Sequence, residues 1–197
     1  MAQGGSIEAN ATGQGDGGKV VLWSDVYKAG GLTQVDGRIE AKGAGTGNGG
    51  QVETSGHTLQ VGEQVTVNAQ AAGQGKSGQW LLDPADITIS SSADAGATNS
   101  GGSYTPDSGV ATSVVNATTL ETALNSGNVT ISTTNTGTAG SGTGNITVSS
   151  NLTWASANVL TLDAAGGITA SAGTGNISMT STTAGAGVVF NQAGNST

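Results

Sequence analysis

Residues 5–18 and 37–50 superimpose at a shift of 32 positions without a gap. Gly5/Gly37, Ile7/Ile39, Glu8/Glu40, Ala9/Ala41, Gly13/Gly45, Gly15/Gly47, Gly17/Gly49 and Gly18/Gly50 coincide. A third copy follows at a shift of 28, with Val67, Ala69, Gly73, Gly75, Gly78 and Gln79 falling on Ile39, Ala41, Gly45, Gly47, Gly50 and Gln51. After each glycine turn an apolar run opens, at Val20, Val52 or Trp80. A unit of ~30 residues is too small to bury its own apolar face, so repetition at this period requires stacking of one unit on the next.

Within each unit the apolar residues alternate over short runs: Val20 and Leu22, Leu59 and Val61, Val65 and Val67. Period-two pieces separated by Gly and Asn describe strands of three to five residues. Three such strands per unit wrap one coil of a parallel β-helix whose alternate side chains point into a narrow shared core. A propeller of antiparallel blades is the rival, but it needs tight two-residue hairpins, and the connections here are mostly longer. Dividing the chain by its period predicts six or seven coils and, at about 4.8 Å per coil, a shaft of ~30 Å.

The composition agrees with an all-β solenoid. Glycine supplies 35 of 197 residues, aromatics 3% and charged residues 9%, while helix formers are scarce and Thr, Ser, Val and Ile plentiful. Glycine has no three-residue period, which excludes collagen. A net charge of −8 weighs against nucleic acid as a partner and against an anionic membrane surface. There is no cysteine, hence no disulfide or thiolate metal site, and no apolar run reaches the ~18 residues of a membrane helix. Met1-Ala2-Gln3 leads directly into a repeat with no signal-peptide pattern, and the expectation is a piece of a longer protein.

Three regions follow. Residues 1–90 carry the Gly-rich repeats and end at Gln79-Trp80-Leu81-Leu82-Asp83-Pro84-Ala85-Asp86-Ile87-Thr88-Ile89-Ser90. Pro84 lacks an N–H and restricts Asp83, so this stretch reads as two short strands, Trp80 to Leu82 and Ile87 to Ile89, broken at a corner. Residues 91–127 form a long loop and a short helical excursion. Thr118 and Glu121 have capping-box spacing, Leu120 and Leu124 share a face, and Gly127 can end the helix. Residues 128–197 return to strands in an Asn/Thr-rich form, with Gly-Asn before Val129, Ile146 and Ile177 as turn residues tolerant of positive φ.

Gly17-Gly18-Lys19-Val20-Val21-Leu22-Trp23-Ser24-Asp25, then Gly49-Gly50-Gln51-Val52-Glu53-Thr54-Ser55-Gly56, then Trp80-Leu81-Leu82-Asp83-Pro84 stand in this order ahead of the loop and Thr118-Thr119-Leu120-Glu121-Thr122-Ala123-Leu124. The ordered set covers residues 5–131 and resembles the exoproteins of bacterial two-partner secretion, large adhesins of the filamentous-haemagglutinin and high-molecular-weight type. The Gly-Asn-apolar-Thr repeats continue the likeness to the end. The resemblance implies a right-handed parallel β-helix forming part of an adhesin shaft at the cell surface. It further implies export through the outer membrane by a partner transporter, and adhesion to a host or bacterial cell-surface receptor or glycan.

Several features are candidate sites. Adhesins that this chain resembles are modified at Asn-x-Ser/Thr, which offers Asn128, Asn145, Asn151 and Asn176, although a turn Asn before an alternating strand generates the same pattern. Tyr104 and Asp107 in the long loop are candidate binding residues. Gly13-Gln14-Gly15-Asp16-Gly17-Gly18 is similar to a calcium-binding nonapeptide, but the equivalent positions in the next two repeats are Asn48 and Lys76, so neither metal nor cofactor is expected. His57, the single histidine, reads as a solvated turn residue. Asp83 and Asp86 are adjacent carboxylates at a proline corner with no basic residue beyond it, which argues against a polysaccharide-cleaving enzyme. The pairs Thr88/Ser90, Thr130/Ser132, Thr147/Ser149, Thr169/Ser171 and Ser178/Thr180 point outward and offer an alternative, an ice- or surface-binding hydroxyl ladder. Neither Gly4–Ala9 nor Val188–Gln192 carries a capping helix or proline, so end-to-end self-association is expected.

Overall fold

The computed structural model describes residues 1–92, 97–100, 103–106, 113–134 and 142–193, with the side chains of 97–100 and 103–106 outside the description. The chain is a parallel β-solenoid of about six turns. Its first coil is β1 (Gly5–Glu8), β2 (Lys19–Trp23) and β3 (Leu32–Val35); the second is β4 (Gly37–Glu40), β5 (Gln51–Ser55) and β6 (Thr58–Val61). Then come β7 (Thr66–Asn68), β8 (Gln79–Asp83), β9 (Ile87–Ser90), the antiparallel hairpin β10 (Ala97–Ser100) and β11 (Ser103–Pro106), and β12 (Ser113–Asn116). Helix α1 (Ala117–Leu124) is followed by β13 (Asn128–Ser132), β14 (Ile146–Val148), β15 (Leu152–Trp154), β16 (Val159–Ala164), β17 (Ile168–Ala170), β18 (Ile177–Met179) and β19 (Gly187–Gln192).

Three faces enclose the core. The first carries β1-β4-β7 and then β15-β18, the second β2-β5-β8-β13-β16-β19, and the third β3-β6-β12-β9-β14-β17. The repeat alignment is the hydrogen-bond register: Gly5 pairs with Gly37, Ile7 with Ile39 and Glu8 with Glu40, and Val20, Val52 and Trp80 stack in consecutive rungs. Inward files are almost wholly apolar: Val52, Trp80, Val129 and Leu160 line one, Leu82, Ile131 and Leu162 another, all at most 1% exposed. The recurring glycines reflect how closely the turns stack. A Cβ on Gly47 would run into the carbonyl oxygen of Gly15 below, and one on Gly75 into that of Gly47.

Helix α1 occupies the first face where a strand would otherwise lie, packing between β7 and β15, with Leu120 and Leu124 fully buried. Its N-cap is Asn116, whose side chain accepts from Thr118 N at 2.8 Å, so the expected Thr118–Glu121 capping box does not form. Glu121 is used instead to accept from Thr153 N of the next rung at 2.7 Å.

That use recurs at the turns and corrects the reading of Gly-Asn. No described non-glycine residue has positive φ, and of the three Gly-Asn glycines only Gly144 does. The side-chain oxygens accept the backbone N–H of the rung above: Asn10 from Lys42, Asp16 from Asn48 and Asn48 from Lys76, each at 2.8 Å. Asn128 likewise takes Val159 N, Asn145 takes Gly167 N and Asn151 takes Asn176 N, at 2.9, 2.7 and 3.0 Å. At corners where the sheets part, these acceptors satisfy donors that no strand can reach.

His57 is not a solvated turn residue. It lies between β5 and β6, is 2% exposed, and neither ring nitrogen has a hydrogen-bond partner. The stack explains why: Ala85 of the next coil donates its N–H to His57 O at 3.3 Å and covers the corner. Unsatisfied buried nitrogens cost about 1–3 kcal/mol. We therefore expect His57→Leu to raise stability by about 1 kcal/mol, read from the urea midpoint. A lower midpoint would mean that the imidazole is satisfied.

Candidate functional site

The outer side of the second face is a regular surface of six strands stacked in sequence order. Its outward positions form three rows, Lys19–Gln51–Gln79–Asn128, Val21–Glu53–Leu81–Thr130, and Trp23–Ser55–Asp83, of which Ser55 and Asp83 are covered and only Trp23 is exposed. Neighbouring members are one strand spacing apart, about 4.8 Å. Trp23 is 61% exposed, Val21 and Tyr27 46% each, and the only other exposed large apolar residues described are Val189 and Phe190 near the opposite end. The Asp25 carboxylate accepts from Tyr27 N at 3.0 Å and so folds the corner that presents Tyr27. At the other edge of this face, toward Lys19, runs a shallow cleft of about 160 Å3, lined by Lys19, Gln51, Val52, Glu53, Gln79 and Leu81. Lys19 and Glu53 lie 3.7 Å apart across it, and Gln79 donates to the Thr130 hydroxyl at 2.6 Å. The face thus carries an aromatic plane at one edge and amides with one loosely paired charge at the other, offering apolar stacking and hydrogen-bond donors and acceptors on one wall.

The hydroxyl pairs are divided among all three faces. Thr88, Thr147 and Thr169 stack in register on the third face, Thr130 lies on the second, and Ser178 on the first. Among the described residues, these hydroxyl pairs touch between rungs only from β14 to β17, Thr169 to Thr147 at 3.4 Å and Ser171 to Ser149 at 3.3 Å. Below Thr88 the row is interrupted by Val114.

The carboxylates are engaged in structure. Asp86 accepts from Thr143 N at 2.9 Å, the Thr143 hydroxyl at 2.9 Å and Asn145 N at 2.8 Å, and Asp83 is 4% exposed at the end of β8. Among the described residues no group of three His, Asp or Glu is placed to hold a metal, and no helix is long and apolar enough to cross a membrane. Tyr104 falls in β11, whose side chains are outside the description, and Asp107 lies outside the described residues. Of the candidate acceptors, Asn145, Asn151 and Asn176 are exposed. Asn128 is half-buried, with its amide nitrogen donating to Ser77 O at 3.4 Å.

Ion pairs cluster on the first face. Arg38 bridges Glu8 and Glu40, and Glu40 also meets Lys42 and the Asn10 amide at 2.9 Å each. The Glu40 carboxyl is held below its usual value, first by the Lys42 hydrogen bond and then by Asn10, against the opposing effect of burial. Asp16 is lowered too, first by the backbone N–H of Asn48 and then by its side-chain amide. A depressed carboxyl stabilises the fold above its unfolded value and loses that contribution as the pH falls through the folded one. Tm should therefore be level from pH 7 to about 5 and fall below about pH 4, with a smaller fall in Glu40→Gln. A flat profile down to pH 3 contradicts this.

The second-face rows escaped sequence reasoning because alternation tells inward from outward without saying which outward residues become neighbours. The exposed Trp23 was legible only as a motif residue. No protein-family model matches the chain, and no curated protein matches it either.

Proposed function

We propose that this chain is a structural and adhesive segment of a secreted bacterial surface protein, a β-helical shaft exported by two-partner secretion, and that it is not an enzyme. The observation that carries the reading is the placement of the motifs. Gly18 to Trp23, Gly50 to Ser55 and Gly78 to Asp83 lie directly over one another in consecutive rungs of one face. What resembles an adhesin signature in order is therefore one continuous wall, and Trp23, Tyr27 and the Gln51–Gln79 amides on or beside it form the contact area for a cell-surface receptor or glycan. The apolar face of one sugar ring of an extended glycan stacks on the aromatic plane while the hydroxyls of another, about 13 Å along the strands, meet the amides. The lack of cysteine suits a chain that crosses membranes unfolded.

Two measurements test it. Deleting the partner transporter should abolish surface display of the parent protein; undiminished display would refute the export route. Beads coated with Trp23→Ala or Tyr27→Ala should bind cells about tenfold less than wild type, the loss of about 1.4 kcal/mol expected for one aromatic contact. Equal binding would remove this face from the adhesive reading. Degradation of polysaccharide in a screen would restore the enzyme class.

The Thr88–Thr147–Thr169 ladder supports a second reading, a hydroxyl-lined ice- or surface-binding face. Inhibition of ice recrystallisation at micromolar protein, lost in Thr147→Val, would favour it. Self-association is proposed through the edge of β19, where Phe190 is 58% exposed. Light scattering that rises with concentration in wild type but not in Val188→Lys/Phe190→Lys is the expected result, and a strictly monomeric wild type would refute it.

A further inference from the structure

The third face is stacked out of sequence order, β3-β6-β12-β9-β14-β17, while the second runs strictly in order. Strand β12 lies between β6 and β9, with Val114 opposite Gln60 on one side and opposite Thr88 on the other. Because Val114 is the partner of both, removing β12 would bring Thr88 onto Gln60 with no change of register. Ile87 would then cover Leu59 and Ile89 would cover Val61, four side chains that are at most 1% exposed in the present fold. The direct β6–β9 pair is thus as apolar as any rung. It is more apolar than the actual one, in which β12 puts Ser113 into the buried file and the Ser113 hydroxyl oxygen accepts from Leu59 N at 2.9 Å.

The corner after Pro84 makes the step that leaves room for β12. Ala85 still donates to His57 O one rung below, whereas the next residue, Asp86, already has Ser113 beneath it, donating to its carbonyl at 3.2 Å. The shifted position is clamped by Thr143 and Asn145, the three donors to the Asp86 carboxylate, which lie 57 and 59 residues further along the chain.

We propose that β9 pairs directly with β6 as the chain first folds, and that β12 then displaces it by one rung, the Asp86 clamp closing last. Leu59 and Ser113 are 54 residues apart, roughly twice the separation of β6 and β9, so the closer pair closes its loop sooner. In any N-terminus-first process β9 is also available before β12, and the unpaired edge of β6 is a ready template. The exchange preserves every inward file and needs a slide of only about 4.8 Å, taken up at the Asp83–Asp86 corner.

The absence of cysteine makes the test clean. Three full-length double variants, Gln60→Cys/Val114→Cys, Gln60→Cys/Thr88→Cys and Thr130→Cys/Val189→Cys, are refolded from urea with oxidised glutathione and quenched at intervals. Adjacent rungs satisfy disulfide geometry, while partners two rungs apart lie about 9.6 Å apart, beyond the ~7 Å limit between Cα atoms. The third variant, two rungs apart on the second face, measures background. In the folded state the 60–114 pair alone should close. Early in refolding the 60–88 pair should exceed the background pair about fivefold, the contrast set by that geometric limit. Combining the 60–88 pair with Asp86→Ala should prolong its cross-linking. A 60–88 yield that never rises above background overturns the proposal, and so does failure of 60–114 to close in the folded protein.

Discussion

Replacing Trp80 by alanine is expected to lower the unfolding free energy by about 3–5 kcal/mol, a large part of what a domain of this size possesses. Trp80 is the largest fully buried side chain and stands in a file between Val52 below and Val129 above. Nothing in such a file can collapse into the void, because its neighbours are fixed to their rungs by the hydrogen bonds of the sheet. Its Nε1 donates at 3.0 Å to the hydroxyl of Thr54, itself 0% exposed, so the substitution also takes a donor from a buried oxygen. Trp80→Phe separates the two effects: it keeps most of the volume and should cost about 1–2 kcal/mol. Urea midpoints followed by circular dichroism measure both. A loss below about 1 kcal/mol for the alanine variant would show that the file is not packed around the indole.

Asp86→Ala is expected to cost about 2–3 kcal/mol, more than an exposed carboxylate ordinarily contributes, because three donors converge on it. It binds the corner after Pro84 to the segment that opens β14, so its loss should loosen two coils together. Asp86→Asn should fall between wild type and alanine, since one oxygen remains but an amide nitrogen now faces donors. Hydrogen exchange locates the effect. Faster exchange at Ile87 and Ile146, whose amides bond to Asn145 O and Gly167 O across these rungs, is the expected pattern. Exchange unchanged at both would show that the strands hold the corner without the clamp.

The rungs themselves were legible in the sequence. The shift of 32 that superimposes Gly5 on Gly37 and Ile7 on Ile39 is the ladder register, and the two strands around Pro84 fall as β8 and β9. These are local matters: alternation sets which side chains face inward, a proline removes a ladder bond, and recurring glycines permit close turns. Contact across rungs was beyond it. Asn116 rather than Thr118 caps α1, and Glu121 was free to reach Thr153 because the helix stands in the wall. His57 became buried because Ala85 settled over its corner, and Trp23 became part of a surface when Glu53 and Leu81 took places in the neighbouring row beside Val21. Only the tertiary structure decided that β12 enters between β6 and β9. Alternation in Ser113–Asn116 says which residues point inward, but the same apolar files accept either strand, so the order of stacking is settled by the whole set of edges, corners and clamps.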